Sequence, residues 1–152
     1  MDIYLREVTE QDYELMLAWR NDKEISLGFY SQAEGKTISW EEHLNWIESR
    51  NKDWRTFIII YENRRIGVLT IGQLDHWCPE IGYYIGEKSL WGKGIVKAAI
   101  RLGLEHIKKN GKEYAHTTVK DDNIRSNRVL KSLGFEQTGE AREGETWYQK
   151  KL

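Results

Sequence analysis

The chain has little that could staple or anchor it. Of 152 residues one is cysteine, Cys78, so no internal disulfide can form. One is proline, Pro79, and no Pro-rich linker or low-complexity tract divides the chain. A run of about 20 apolar residues, enough to cross a bilayer, is missing, and the start at Met1 is not followed by an apolar leader-like stretch. These absences lead us to expect a cytoplasmic protein with no membrane contact. Excess charge is also lacking: 23 Lys and Arg oppose 24 Asp and Glu, a net −1, so nothing global draws the chain to nucleic acid. Any anion it binds must be held by local groups. No metal-ligand set is expected.

What is present fits one domain over residues 1–152. That length can bury a core without staples, and 39% hydrophobic with 31% charged residues is ordinary for a globular chain. Seven Trp and eight Tyr are many; they build cores, and a surplus lines pockets.

The pattern predicts a strand at Ile3 to Arg6 and a helix over Glu10 to Trp19, with an apolar side from Tyr13, Met16 and Leu17. Asn21 to Ile38 reads as loop with a short helical piece. A second helix starts at Ser39, where Ser39 and Glu42 have capping-box spacing. Three strands follow, Thr56 to Tyr61, Ile66 to Gln73 and Glu80 to Ile85, joined by turns at Glu62-Asn63-Arg64 and Asp75 to Pro79. A long helix from Gly94 to Asn110 stops at Gly111. A strand at Tyr114 to Val119, a helix at Arg125 to Leu133 and short strands near Gly139 to Arg142 and Thr146 to Lys150 complete the order. The expected fold class is α/β (α+β): a mixed, mostly antiparallel sheet of about seven strands with about four helices.

Trp91-Gly92-Lys93-Gly94-Ile95-Val96-Lys97 joins the third meander strand to the long helix. Two glycines permit tight backbone close to a ligand, and the free N–H groups of the helix start attract anions. Lys93 and Lys97, with no acid beside them, invert the usual preference for acids at a helix start. An ordinary glycine turn is the plain alternative. A Walker loop is excluded by its missing Gly-Lys-Ser/Thr, and a Rossmann turn by Lys97 standing where a third glycine belongs.

This turn, with Asn123-x-x-Ser126 and Val129-Leu130-Lys131-Ser132-Leu133-Gly134-Phe135, resembles the GNAT superfamily of N-acetyltransferases. In that family the form Arg/Gln-x-x-Gly-x-Gly/Ala binds the pyrophosphate of acetyl-CoA. Trp91, Gly94 and Val96 stand at its first, central and last positions; Trp91 is similar to the branch of ribosomal-protein alanine acetyltransferases, and Val96 is bulkier than usual. Trp19-Arg20-Asn21 and Glu42-His43-x-x-Trp46 resemble the branch that acetylates nucleotide-linked amino sugars.

The resemblance implies an enzyme moving acetyl from acetyl-CoA to a primary amine of a small molecule or peptide. It implies coenzyme contacts from Tyr84, Ile85, Trp91, Gly92, Lys93, Gly94, Ile95, Val96, Asn123 and Ser126. Acceptor contacts are expected from Trp19, Asn21, Tyr30, His43 and Trp46. A homodimer is expected as an option.

A free alkyl amine has a pKa near about 10, so a base must take its proton. Glu80 is the candidate; a solvated carboxylate at a strand end is the alternative, and Asp75, His76 and His43 are weaker rivals. A backbone N–H of Tyr83 to Ile85 would meet the oxyanion. Many family members carry Tyr where this chain has Leu130, so the leaving thiolate would draw on Tyr83, Tyr84, Ser126 or water. Asn123 is equally suited to a turn before its helix. Trp40, Trp46 and Trp54 are either core or pocket wall. Cys78 beside His76 has no third group to orient it as a nucleophile. Leu130 and Val96 keep open a second function, a coenzyme-binding module without catalysis; a nucleotide-binding protein of another kind is the third.

Overall fold

The computed structural model describes residues 1–26, 36–50 and 53–152. The described chain forms one seven-stranded sheet with order β1-β2-β3-β4-β5-β7-β6. The strands are β1 (Ile3–Glu7), β2 (Trp54–Tyr61), β3 (Arg64–Gly72), β4 (Glu80–Ile85), β5 (Tyr114–Lys120), β6 (Glu136–Arg142) and β7 (Glu145–Lys151). The helices are α1 (Tyr13–Asn21), α2 (Lys23–Ser26), α3 (Trp40–Arg50), α4 (Ile95–Lys109) and α5 (Ile124–Ser132). Four are of nine residues or more, as expected; α2 is the short helical piece, a single turn that Asp22 Oδ1 caps by accepting from the N–H of Glu24 and Ile25.

Local chemistry sets the boundaries. The hairpin between β2 and β3 turns on Glu62 and Asn63 alone, both left-handed (φ 49° and 61°), and Arg64 already belongs to β3. Two left-handed central residues match the right-handed twist of the strands they join. The helix expected from Glu10 begins with a 3₁₀ turn, and α1 proper starts at Tyr13. The cause is Asp12, whose buried carboxylate is held by both arms of Arg6 (2.9 Å each), by the Thr9 N–H (2.8 Å) and by Arg65 (3.3 Å). At Ser39 the capping differs from a reciprocal box. The hydroxyl accepts the Glu42 N–H (3.1 Å), but the Glu42 carboxylate returns to the hydroxyl (3.3 Å) and to Lys36, not to the Ser39 backbone.

The sheet has a core on each face. Phe57, Leu69, Ile71, Ile81 and Ile85 pack with Ile95, Ala99, Ile100, Leu104 and Ile107 of α4. The approach is close at Gly103, where a Cβ would stand 2.8 Å from Ile81 and 3.0 Å from Leu69. On the other face Ile58, Ile60 and Val68 pack with Met16, Trp19 and Ile25 of α1 and α2.

All neighbouring strands are antiparallel except β4 and β5. That parallel pair is registered only at Glu80 and His116. His116 pins it there: its N–H donates to Pro79 O (3.0 Å), and its Nδ1–H donates to Cys78 O (2.9 Å). Beyond this point β4 keeps its ladder with β3, β5 keeps its ladder with β7, and neither is registered with the other.

The Asp12 cluster ties the start of α1 to β1 and β3. Burial alone would raise the Asp12 carboxyl, but the bonds from Arg6, Thr9 and Arg65 outweigh it and bring it down to about 2. A depressed carboxyl stabilises the fold above its unfolded value near 4, and loses that contribution as pH falls from about 4 towards 2. We expect Asp12→Asn to cost about 2 kcal/mol at pH 7, and its deficit to shrink to about a third of that near pH 2.5. Urea unfolding of both proteins at the two pH values checks this.

Candidate active site

The gap between β4 and β5 opens into a cavity of about 770 Å³. Its walls come from both faces of the sheet. Side chains alternate along a strand, and the register with β3 places Tyr83 with Leu69 on the α4 face and Tyr84 with Val68 on the α1 face. Glu80 opposes Gly72 and lies on the same face as Tyr84. The cavity is therefore lined on one side by Leu90 to Gly92, Gly94 to Val96, Asn123, Arg125, Ser126, Arg128 and Val129, and on the other by Met16, Arg20, Ile25, Trp46, Arg50, Thr70 and Glu80.

On the α4 side the turn has the backbone its glycines foretold. Gly92 and Gly94 are left-handed (φ 76° and 77°), and Gly94 caps α4. A Cβ at either would project into open space, so the wall stays low there because of the backbone angle and not because of crowding. The first turn of α4 carries no acid. The Trp91 indole N–H donates to Ile85 O (2.9 Å), which seats the turn against the end of β4. The Arg125 guanidinium lies over the Trp91 ring at 5.5 Å. Val96 packs partly against the core, which takes up its extra bulk. Lys93 is exposed and does not line the cavity, contrary to expectation; every other expected coenzyme contact does line it.

Asn123 occupies its turn role: its Oδ1 accepts the Ser126 N–H (3.2 Å) and caps α5. Capping in turn places Ser126 Oγ 3.1 Å from the Tyr83 hydroxyl. This contact joins β4 to α5 across the gap. Burial drives the Tyr83 hydroxyl up to about 12 despite its bond to Ser126, so it stays protonated. Leu130 is fully buried in the core. Tyr84 is also pushed up by burial, against the pull of the Arg20 charge, and its ring meets Trp19 edge to face at 6.0 Å.

The α1 side differs from the sequence reading. Trp46 and Glu80 line the cavity, Glu80 half-buried. Trp19, Asn21 and His43 do not. Trp19 is core: it lies so close over Gly86 that a Cβ there would sit 2.2 Å from the indole. Asn21 is a latch whose amide accepts from Ile38 N (2.8 Å) and donates to Ile38 O (3.0 Å). His43 is fully buried between Tyr13 and Arg20. Tyr30 lies outside the described residues. Trp54 holds Arg50, and Trp40 is exposed near His43. Cys78 is buried, which raises its thiol, and His76 meets its backbone N–H only.

Residues not anticipated line the cavity on this side. Arg20 lies 4.1 Å above the Trp46 ring; Arg50 lies 4.7 Å from Trp46 and 3.9 Å from Trp54. Both guanidiniums line the cavity, stacked on indoles, an arrangement that favours Arg over Lys. Alternate aromatic and Arg positions on one helix face (Trp46, Arg50) were the available signal. Among the described residues no helix is long and apolar enough to cross a membrane.

Comparison with known proteins agrees with this geometry. An uncharacterised protein of Methanocaldococcus jannaschii is 40% identical over 155 residues, covering 99% of this chain and 31% of that protein; the chain thus spans about a third of its relative's length. A solved domain from the same organism superposes with a TM-score of 0.93 at 38% identity, covering 99% of both chains. The fold is also that of spermidine N-acetyltransferase from Vibrio cholerae, solved with CoA and spermine (TM-score 0.82, 16% identity, 97% and 92% covered). Residues 2–136 match the acetyltransferase (GNAT) domain family, and the chain belongs to it.

Proposed function

We propose that the chain transfers the acetyl group of acetyl-CoA to a primary amine by direct attack, and that the amine sits on a nucleotide-linked amino sugar. One observation carries the reading: a cavity through the β4/β5 gap, with an anion-accepting turn on one face and a carboxylate with two stacked guanidiniums on the other. The pyrophosphate of acetyl-CoA would lie on the N–H groups of Gly92 to Val96. Its pantetheine arm would run beside β4, whose edge there is not registered with β5.

The acceptor would enter from the α1 side. Glu80 takes the proton of the ammonium, directly or through water, and the amine attacks the thioester carbon. A C–N bond forms as the C–S bond breaks, and a backbone N–H of Tyr83 to Ile85 meets the oxyanion. Tyr83 then faces the departing sulfur. Full proton transfer from a hydroxyl near 12 to a thiolate near 8.5 is uphill by about 5 kcal/mol. Tyr83 therefore acts as a hydrogen-bond donor to the thiolate, with Ser126 aiming it, and the final proton comes from solvent.

Arg20 and Arg50 favour an acceptor that carries negative charge, whereas a protein α-amine, the second acceptor class, needs none. Glu24, the other acid at this wall, is turned to Lys88 (3.2 Å).

Calorimetry with acetyl-CoA and a free-thiol assay over amino sugars, nucleotide-linked amino sugars, polyamines, aminoglycosides and short peptides test this. We expect binding, and turnover best with amines that carry phosphate. Absence of acetyl-CoA binding at millimolar ligand would sink the proposal. Binding without turnover of any amine would favour the inactive coenzyme-binding module.

Glu80→Gln should keep coenzyme binding and lower kcat at least tenfold at neutral pH. Tyr83→Phe should lower kcat about tenfold to a hundredfold with little change in coenzyme Kd, since a hydrogen bond to a charged atom is lost. Ser126→Ala should cost less than Tyr83→Phe; an equal or larger loss contradicts the aiming role.

A further inference from the structure

His43 is an unusual residue to bury, and its two bonds fix its state. Nδ1 is 2.9 Å from Arg20 Nη1, and Nε2 is 2.8 Å from Tyr13 O. A guanidinium only donates and a carbonyl only accepts. Nδ1 must therefore carry the lone pair and Nε2 the proton, so the ring is neutral. Its other face lies parallel to Trp46, with centroids 6.3 Å apart and planes 12° apart. Arg20 thus meets two members of α3 at once: it stacks on Trp46 and donates to His43. The imidazole joins α1 to α3 at the cavity wall, beside the Arg20–Trp46 contact.

Protonation would put a proton on Nδ1, facing an Arg N–H in a buried site. The bond would be lost and two like charges would meet. The titratable groups that meet the ring are Arg20 and Tyr13 on α1, and those that act on Arg20 in turn are Tyr84 on β4 and Arg50 and Glu42 on α3. Burial and the Arg20 charge both lower the His43 value, against the Tyr13 carbonyl, which raises it.

We propose that His43 is a positioning residue of the acceptor site: as a neutral imidazole it holds Arg20 flat on Trp46 to meet an anionic group of the acceptor, and its protonation releases that grip. This rests on the reading of an anion-bearing acceptor. It adds a built-in loss of acceptor binding in acid that leaves the coenzyme side unchanged. A histidine whose folded value is lowered is neutral above that value, so the grip is complete at neutral pH and fails below the ordinary histidine range near about 6.5.

Two measurements on the whole chain test it, and neither needs turnover. Long-range nitrogen–proton NMR should show His43 protonated at Nε2 alone at pH 7, with the Trp46 indole signal moving at the His43 midpoint. A proton on Nδ1, or a His43 titration that leaves Trp46 still, overturns the proposal. The second measurement uses sulfate, which keeps its charge over this range, titrated into protein saturated with CoA so that the turn at Gly92 to Val96 is already filled. Sulfate should bind about tenfold more weakly below the His43 midpoint than at pH 7.5. His43→Leu should weaken sulfate about tenfold at both pH values, with CoA affinity kept. His43→Gln, which can accept from Arg20 and donate to Tyr13, should restore most of the binding and remove the acid loss. Acid loss surviving in His43→Gln, or no effect of His43→Leu in a folded protein, overturns the inference. If these results hold and no amine is acetylated, the proposed reaction fails while the role of His43 stands.

Discussion

The parting of β4 from β5 is the constraint on which the site depends. The two strands share one registered pair, Glu80 with His116, and each then keeps its other partner. A parallel pair needs a long crossover between its strands. Here the crossover is α4, and the turn that starts α4 leaves from the end of β4 that is not registered with β5. The acid-free start of α4 is therefore placed at the gap by topology. The same parting leaves part of the β4 backbone without a strand neighbour on that side. A buried backbone edge needs partners, and an extended ligand arm can supply them. His116 bounds this arrangement: its two bonds to Cys78 O and Pro79 O close the gap at one end, as Tyr83 and Ser126 close it across α5.

The turn wall of the cavity was legible because its signals are local. A glycine's backbone angle, a helix start without acids and an Asx cap are each written within a few consecutive residues. Gly92, Gly94, Asn123 and Ser126 accordingly lie where the sequence put them. The order of elements along the chain was legible for the same reason: helix and strand periods and turn residues are short-range. Lys93 failed as a wall residue because a left-handed glycine on each side sets its direction, which a charge count does not contain.

The α1 wall was less legible because it is made by tertiary pairing. Trp19, Asn21 and His43 lie in the right neighbourhood, yet each is consumed by a contact more than ten residues away: Gly86, Ile38 and Arg20. A pairing at that separation leaves no period or spacing to read. Arg20 and Arg50 were missed since a guanidinium beside an indole looks like any solvated charge until the two helices are set together. Thr9 and Asp12 are a different case. Their bond is local, but Arg6 and Arg65 arrive from separate strands, and only with them does Asp12 become the buried centre of a cluster.

Leu130 shows how a departure from the family pattern can be absorbed. With that position fully buried, α5 offers the gap a hydroxyl from Ser126 and no phenol. β4 brings a phenol to the same gap, because Tyr83 points to the α4 face and meets Ser126 from the opposite wall. The exchange has a cost in chemistry. A phenol buried in the sheet is held near 12, too high to give its proton away readily, so it can steady a thiolate without neutralising it. If Tyr83 serves the reaction in that way, expulsion of the sulfur is helped by a hydrogen bond and completed by water. The rate should then fall with Tyr83→Phe by the value of one charge-assisted bond, and not by the much larger factor that loss of an obligatory acid would bring.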